Sequence, residues 1–287
     1  MTTTQLTPEQ IAFYHEHGYL HIPRVFTQAE TDELASELDW MMDKWAWPDA
    51  SWTGPWRKIY MNADVEKKSK LVGMHDLQFY SSAWSRGVTN PNLVRCMVDL
   101  LGANVELHHT TMHVKPPETG HPFPMHQDNA FYPHADGRYV DVLMHLDNTR
   151  HENGEIRFLP GSHKAGYLPH ITQTADGPCT PHLPTDKYSL ADTVPVPASR
   201  GDVVIFNIFT IHGSHLNQTN EARRLVRLGY RNVDNVQVGG QSKGRPGLMV
   251  AGRRNRHSGQ ELFTTEISIT NPVAPLKKDA EPAPAVR

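Results

Sequence analysis

The sequence predicts a mainly β fold with flanking α-helices, in which short antiparallel strands form a sandwich of the jelly-roll kind. From about residue 104 onward, short runs of β-branched and apolar residues alternate with proline-bearing loops. No helical pattern of comparable quality separates those runs. Many short strands without intervening helices indicate an antiparallel sandwich, and the jelly roll is one of the few architectures that closes such a set.

Two helices are predicted at the start of the chain. Thr7, Pro8 and Gln10 supply an N-cap, a proline at the first helical position and the partner of a capping box, and Gly18 is the expected stop. A second capping box over residues 27–30 begins a helix whose apolar residues recur at helical spacing, so we expect that stripe to be buried. The stripe consists of Leu34, Leu38, Met41, Met42 and Trp45.

A tryptophan-rich segment follows, with five of the six tryptophans between Trp40 and Trp56. Pro48, Gly54 and Pro55 exclude one continuous helix there. One interpretation is helix core followed by a packed loop. The other is a loop that lines or closes a ligand pocket, since rigid aromatic side chains bind at low entropic cost. The sequence leaves both interpretations open.

Five strands are predicted after residue 104. Each is a run of β-branched or apolar residues bounded by turn-forming residues. They cover residues 105–114, 140–148, 155–160, 202–212 and 224–232. We assign residues 1–270 to a single domain with its N-terminal helices. The Ala-, Pro- and Lys-rich segment 271–287 is predicted to be a disordered tail.

Composition argues against several classes of function. The chain has 287 residues, a net charge of -3 and no long run of either sign, which gives a nucleic-acid partner no electrostatic support. Cys96 and Cys179 lack metal or redox spacing and do not indicate a disulfide. The N-terminus lacks the features of a signal peptide, and no long apolar run predicts a membrane span. We therefore expect a cytoplasmic protein that acts on a small molecule. The oligomeric state stays unknown.

The stretch PMHQDNAFYP, residues 124–133, contains the candidate metal ligands His126 and Asp128. We expect this pair to begin a strand, where residues i and i+2 share a face and the two side chains can converge on one ion. An iron site of the two-His-one-carboxylate type needs a third ligand from another strand. The candidates are His212 and His215. Because His212 ends a predicted strand and His215 would point the other way, we favour His212.

By itself an H-x-D pair is weak evidence, because such tripeptides arise by chance and a surface ion pair is the simpler interpretation. The pair becomes stronger evidence for a metal site when it is taken together with five segments in a fixed order. They are EQIAFYHEHGYLHIPRVF (9–26), HTTMHVKPP (109–117), HPFPMHQDNAFYP (121–133), ENGEIRFLPGSHKAG (152–166) and RGDVVIFNIFTIHGSHLNQT (200–219), followed by arginines at 223 and 224. In this order the segments resemble the phytanoyl-CoA dioxygenase family of Fe(II)- and 2-oxoglutarate-dependent oxygenases.

The resemblance implies a double-stranded β-helix, the cupin-like form of the jelly roll, in which His126, Asp128 and His212 bind Fe(II) and carry catalysis. It also implies that Arg223, with Ser214 beside it, binds the distal carboxylate of 2-oxoglutarate. The chemistry agrees, because a guanidinium matches a carboxylate bidentately and stays protonated.

The same resemblance leads to expectations for further residues. Arg224 is expected to face away from the site, and Arg227 is a poorer choice than Arg223 for the co-substrate. Lys115 and Thr111 match positions that help to seat 2-oxoglutarate, although Thr111 stands where the phytanoyl-CoA enzyme has a methionine. Leu143 stands where the family often has a tryptophan. These changes bear on pocket shape and hence on the substrate.

Other histidines surround the predicted site. For His108, His109 and His113, contact with a ligand is the minority interpretation. His121 and His134 are expected around the site or at the surface.

The implied reaction consumes 2-oxoglutarate and O2, releases succinate and CO2 and hydroxylates an unactivated carbon of a small organic substrate. Asp128 argues against halogenation, because related halogenating enzymes have Gly or Ala there to leave room for chloride. An acyl-CoA is one candidate substrate, whose phosphates the basic segment GRRNRH (252–257) could contact, although a solvated loop is the simpler interpretation. An amino acid, an osmolyte or a natural-product intermediate is the alternative.

Two other classes of protein stay open. The first is a cupin metalloenzyme that does not use 2-oxoglutarate, in which Arg223 and Ser214 would be idle. The second is a catalytically inactive binding protein on the same fold, which the intact ligand set disfavours.

Overall fold

Short antiparallel strands and N-terminal helices make up residues 6–254, the part of the chain that the structure, a computed structural model, describes. The helices are α1 (Pro8–His17), α2 (Gln28–Trp45), α3 (Arg57–Tyr60), α4 (Ala63–Lys68), α5 (Ser82–Val88) and α6 (Pro91–Leu101). The strands are β1 (Tyr19–Ile22), β2 (Val72–His75), β3 (Val105–Lys115), β4 (Phe123–His126), β5 (Tyr139–His145), β6 (Ile156–Phe158), β7 (Ile171–Thr174), β8 (Gly177–His182), β9 (Val194–Val196), β10 (Val203–Asn207), β11 (His212–Ser214), β12 (Arg223–Asn232) and β13 (Leu248–Ala251).

The strands form two sheets whose inner faces pack on each other. The larger sheet has the order β1-β10-β5-β12-β3-β13, with β2 also paired to β3, and the smaller has the order β4-β11-β6-β9. Strands β7 and β8 form a separate hairpin. Apolar side chains of β5, β10 and β12 meet those of β6 and β9 in one buried cluster. Two facing antiparallel sheets with crossovers between them form a jelly roll, so the predicted fold class is confirmed.

Alternation along the strands of the larger sheet separates the helix side from the interior. In β10, Val203 and Ile205 pack in the cluster that includes the helices, whereas Val204 and Phe206 belong to the cluster between the sheets. Successive side chains of a strand point to opposite faces, so the same division runs through β5 and β12. The helix-facing residues of β12 are Val226, Leu228 and Tyr230. Arg223, Leu225 and Arg227 therefore face the interior, where they line a cavity.

The predicted helix starts are confirmed. The Thr7 side chain accepts a hydrogen bond from the Gln10 amide and the Gln10 side chain accepts one from the Thr7 amide, and α2 begins with the same reciprocal pair. Gly18 ends α1 with a φ of 81°, a left-handed conformation that glycine adopts without strain. The stripe of α2 is buried at Leu34, Leu38 and Met41, but the prediction is wrong for Trp45, which is 45% exposed.

The predicted strand 202–212 is wrong as one element, because it divides between the two sheets. Strand β10 ends at Asn207 and β11 begins at His212. Between them the Asn207 side chain accepts a hydrogen bond from the Phe209 amide (3.0 Å), and the Asn207 carbonyl accepts one from the Thr210 amide (2.8 Å). This turn carries the chain from the larger sheet to the smaller one.

Several expectations concern the chain as a whole. The predicted tail 271–287 lies outside the described residues, as does the end of the predicted domain 1–270. Within residues 6–254, none of the helices combines the length and the apolar character needed to cross a membrane. Cys96 and Cys179 are not joined in a disulfide.

A buried ion pair ties the start of β3 to the end of β12. Arg231 Nε donates to Glu106 Oε1 at 2.6 Å, and both side chains are almost fully buried. Arg254 contacts the other carboxylate oxygen of Glu106. Since removing one partner of a buried pair leaves an uncompensated charge in the interior, the cost is much larger than the net gain from the pair itself.

We expect Glu106→Gln to lower the free energy of unfolding by about 3–5 kcal/mol. Glu33→Gln is the matched control, because the Glu33 and Arg86 side chains are each more than half exposed and their pair is worth at most about 1 kcal/mol. Urea unfolding of both variants measures the difference. Equal losses would contradict the stabilising role of Glu106.

Candidate metal centre

Strand pairing in the smaller sheet brings two of the predicted ligands together. His126 ends β4 and pairs directly with His212 of β11, and their ring centroids lie 4.1 Å apart. Asp128 follows two residues later and opens a turn of 3-10 helix. The prediction that His126 and Asp128 begin a strand is therefore wrong. The strand ends at His126, and the turn after it brings Asp128 back to the histidines.

Backbone carbonyls fix the orientation of both imidazoles. His126 Nδ1 donates to the Pro124 carbonyl (2.8 Å) and His212 Nδ1 donates to the Thr210 carbonyl (3.0 Å). Because a carbonyl only accepts, each Nδ1 carries a proton, and in the neutral ring the lone pair is therefore on Nε2. These Nε2 atoms lie 3.3 Å and 3.6 Å from Asp128 Oδ1. Two lone pairs and a carboxylate oxygen thus converge, which is the arrangement that a cation satisfies.

Protonation in the site favours metal binding as well. Burial, together with the nearby His126, lowers the pKa of His212 to about 3, so its imidazole is neutral at physiological pH. Burial opposes the charge on Asp128, but His212, His126 and Arg227 outweigh it and keep the pKa of the carboxyl well below its usual range. Two imidazoles and an ionised carboxylate, with ligand atoms all within 4.8 Å of one another, form a donor set that fits Fe(II).

A cavity opens beside these three residues. Its wall is largely aromatic and aliphatic. The residues are Trp52, His113, Phe123, His126, Asp128, Leu143, Ile156, Phe206, His212, Ser214, Arg223, Leu225 and Arg227. Leu143, noted in the sequence as a departure from the family, is therefore a wall residue of the cavity.

The tryptophan-rich segment contains examples of both interpretations. Trp52 lines the cavity and packs against His126 and Phe131, with ring centroids 4.8 Å from each. Trp56 is fully buried, as packed core would be. Trp47 is about half exposed, at 53%. The structure therefore assigns a pocket-lining position to one tryptophan and a core position to another.

Arg223 presents unpaired donors to the cavity. Its Nη2 donates to the Gly154 carbonyl at 3.0 Å, while Nε and Nη1 are buried without a hydrogen-bond partner. Burial lowers the pKa of Arg223 to about 10, which leaves the guanidinium charged at neutral pH. A buried cation with two unpaired nitrogens is costly unless a ligand satisfies them, and a carboxylate is the geometric match.

Ser214 and Lys115 lie next to this arginine. Ser214 lines the cavity, and Lys115 Nζ donates to its hydroxyl oxygen at 2.7 Å and to the His215 carbonyl. Burial, and then the charge of Arg223, lower the pKa of Lys115 well below its usual range. Lys115 is not among the residues that line the cavity, so within the described chain it acts through Ser214.

Two other predicted residues lie away from the cavity. Thr111 Oγ1 accepts a hydrogen bond from Arg227 Nη2 (2.9 Å) and lies 3.0 Å from His75 Nδ1. Its predicted contact with 2-oxoglutarate stays a prediction. Arg224 forms a bidentate pair with Asp147 through contacts of 3.1 Å and 2.6 Å, on the opposite side of β12 from Arg223.

The remaining histidines occupy supporting positions, with one exception. His113 lines the cavity. His109 contacts Arg227 and also His108, while His134 contacts Arg231. His121 Nε2 accepts a hydrogen bond from the Trp52 amide (3.1 Å) and so supports the cavity wall. Sequence reasoning missed Asp141 and Tyr132, which also hold Arg227. Tyr132 lies within the motif at 121–133, but no role was assigned to it, and Asp141 lies in a predicted strand without a motif of its own.

Fold and site together define the class as a mononuclear non-haem metal enzyme on a jelly roll. The chain belongs to the phytanoyl-CoA dioxygenase family, whose model matches residues 14–225. It is accordingly an Fe(II)- and 2-oxoglutarate-dependent dioxygenase. The resemblance drawn from the sequence motifs and the predicted cofactors are confirmed.

Individual proteins show the same relationship. The chain is 28% identical to the probable alpha-ketoglutarate-dependent hypophosphite dioxygenase of Stutzerimonas stutzeri, over 79% of each chain. It is 25% identical to the human peroxisomal phytanoyl-CoA dioxygenase, over 80% of this chain and 69% of the relative. Among solved structures, the non-heme alpha ketoglutarate dependent carbocyclase SnoK from nogalamycin biosynthesis has the same fold, with a TM-score of 0.69 at 22% identity over 88% of this chain and 96% of SnoK.

We expect His212→Ala to abolish stoichiometric Co(II) binding, because it removes one of three converging donors, whereas His215→Ala binds Co(II) as the wild type does. His215 is the matched control, since it lies three residues further along and packs against His151 rather than at the triad. Anaerobic titration of each protein with Co(II), monitored by the absorption of bound Co(II), measures the binding. Loss of binding in His215→Ala alone would overturn the ligand set.

Proposed function

We propose that this enzyme hydroxylates an unactivated carbon of a small organic substrate at an Fe(II) ion bound by His126, Asp128 and His212. One observation carries the proposal: a buried triad of converging donors and an arginine with unpaired N–H groups open onto the same cavity. With 2-oxoglutarate and O2, bound iron supplies the oxidation of a C–H bond to C–OH, with release of succinate and CO2.

Arg223 and Ser214 are the proposed seat of the co-substrate. The guanidinium Nε and Nη1 groups have no protein partner, so they can receive a carboxylate as a fork. Since Lys115 donates to Ser214 Oγ, the hydroxyl hydrogen of Ser214 remains available to donate to the same carboxylate. Lys115 then orients the serine without touching the co-substrate.

The chemistry of the cavity wall argues for a neutral, apolar reacting group on the substrate. Arg223 and Arg227 are the arginines among the lining residues. The co-substrate uses Arg223, and four of the five N–H groups of Arg227 already donate to protein atoms. Burial, and then the charge of Arg227, lower the pKa of His113 well below its usual range, so it is neutral as well. An anion such as the hypophosphite named for the Stutzerimonas relative would lack a free cationic partner.

A second groove, linked to the cavity wall through Phe131, is a candidate site for the distal part of the substrate. It is lined by Trp47, His75 and Tyr80 among others. The Gln241 amide at this groove donates to the Phe131 carbonyl at 2.8 Å, and Phe131 packs against Trp52 in the cavity wall.

The basic segment 252–257 gives little support to an acyl-CoA. Its described part, residues 252–254, follows β13, which pairs with β3 from Val105 to Leu107. His113 of the cavity lies eight residues further along β3, roughly 26 Å away at the rise of a strand. Arg254 is also engaged by the buried Glu106. A natural-product intermediate or another molecule with an apolar end fits these positions better.

The setting of the reaction is part of the proposal. A net charge of -3 supports a small-molecule substrate over a nucleic acid. The absence of a disulfide between Cys96 and Cys179 fits a reducing compartment, so we propose a cytoplasmic location.

We expect the Fe(II)-loaded protein to convert 2-oxoglutarate slowly to succinate and CO2 without added substrate. Arg223→Gln should raise the KM for 2-oxoglutarate by about 10–100-fold, since hydrogen bonds to a charged group contribute about 1.5–3 kcal/mol. Arg224→Gln, which removes the neighbouring charge outside the cavity, should leave that KM unchanged. Succinate formation measures both values. No succinate from the wild type, or equal KM shifts in both variants, would refute the proposed co-substrate seat.

We expect molecules with an uncharged apolar end to stimulate succinate release, and small oxyanions to fail. The panel pairs hypophosphite and methylphosphonate with acyl-CoAs, amino acids, osmolytes and polycyclic natural-product intermediates. Product mass checks that one oxygen atom is gained. Stimulation by hypophosphite alone would show that the argument from the cavity wall is wrong.

A further inference from the structure

Arg227 is fixed by side chains from three parts of the jelly roll. Nη1 donates to Asp141 Oδ1 (2.6 Å) and to the Tyr132 hydroxyl (2.7 Å). Nη2 donates to His109 Nε2 (2.8 Å) and to Thr111 Oγ1 (2.9 Å). Since a guanidinium has five N–H groups, only Nε–H remains for another partner. The arginine is therefore held in one orientation from behind.

The histidines behind Arg227 are themselves held in one tautomer. Gln237 donates through Nε2 to two backbone carbonyls, so its Oε1 faces His108 Nε2 at 3.0 Å and must accept from it. His108 Nδ1 then accepts from His109 Nδ1, 2.8 Å away, and His109 Nε2 is left to accept from Arg227. A register shift of β3 against β12 at this point lets the consecutive histidines both join the cluster.

The free N–H of Arg227 faces the outer oxygen of the carboxylate ligand. Arg227 Nε lies 3.8 Å from Asp128 Oδ2, and that oxygen is buried without a hydrogen-bond partner. The other oxygen, Oδ1, faces the Nε2 atoms of His126 and His212. The two oxygens of Asp128 thus face different groups, one the metal position and one the guanidinium.

We propose that Arg227 is a positioning residue that retains Asp128 Oδ2 and so restricts this ligand to one oxygen at the metal. The inference rests on the proposed metal site. A carboxylate can bind a metal through one or both oxygens. With two imidazoles and a single oxygen, three positions of an octahedral ion stay open for the chelating co-substrate and O2. A second oxygen from Asp128 would occupy one of those positions.

The test compares Arg227→Met and Arg227→Lys with the wild type in the absence of O2. Both variants lack an N–H at the position of Nε. We expect them to bind Co(II), but with an altered Co(II) absorption spectrum. We also expect the Fe(II)-loaded variants to bind 2-oxoglutarate about 10–100-fold more weakly, by analogy with the loss of metal affinity or activity when an outer partner of a metal ligand is removed. The charge-transfer band of the Fe(II) and 2-oxoglutarate complex measures that affinity without turnover.

Arg231→Met is the matched control. Arg231 lies four residues along the same strand, is also buried and is paired with Glu106 rather than placed beside Asp128. It should destabilise the fold while leaving the Co(II) spectrum and 2-oxoglutarate affinity as in the wild type. Should Arg227→Met be too unstable to purify, Arg227→Lys carries the comparison, because it retains a cation for Asp141.

Two outcomes separate this inference from the proposed function. If the wild type binds Co(II) and 2-oxoglutarate and both Arg227 variants match it in spectrum and affinity, the positioning role is overturned and the metal site stands. If the His212→Ala variant binds Co(II) as well as the wild type does, the proposed metal site itself is wrong.

Discussion

The direct pairing of His126 with His212 across the β4-β11 ladder is the constraint on which the rest of the site depends. The ladder sets the separation of the two rings, and hydrogen bonds to carbonyls two residues earlier set their rotation. Asp128 needs only the turn after β4 to reach them. A site that is arranged by backbone pairing stays in place while its surroundings vary, which suits a fold used for many substrates.

Two arginines on the same face of β12 have different roles because their surroundings differ. Arg223 keeps two of its nitrogens, Nε and Nη1, without a hydrogen-bond partner at the cavity, whereas Arg227 has four of its five N–H groups engaged by neighbours. Asp141 makes much of this difference, since it forms an ion pair with Arg227. Burial and polar neighbours, rather than position on the strand alone, make one arginine available to a ligand and the other a support.

The sequence was sufficient where short-range patterns determine structure, and insufficient where distant residues do. Runs of β-branched and apolar residues predicted the main strands, and capping boxes predicted the first helices. The ordered motifs predicted which residues meet at the metal centre. The turn after Asn207 was missed because it contains neither glycine nor proline, so 202–212 read as one apolar strand. The role of Asp141 could not be predicted from its place in an apolar strand, because that role depends on contact with Arg227, which lies far along the chain.

The origin of the cavity wall has a consequence for how such an enzyme diverges. Trp52, which packs against the ligand His126, comes from the loop between α2 and α3, whereas His126 and His212 lie on the smaller sheet. Mutations in that loop can remodel this part of the wall and leave the ladder between β4 and β11 untouched. Natural selection can therefore change one part of the pocket without disturbing the pairing that holds the two histidines.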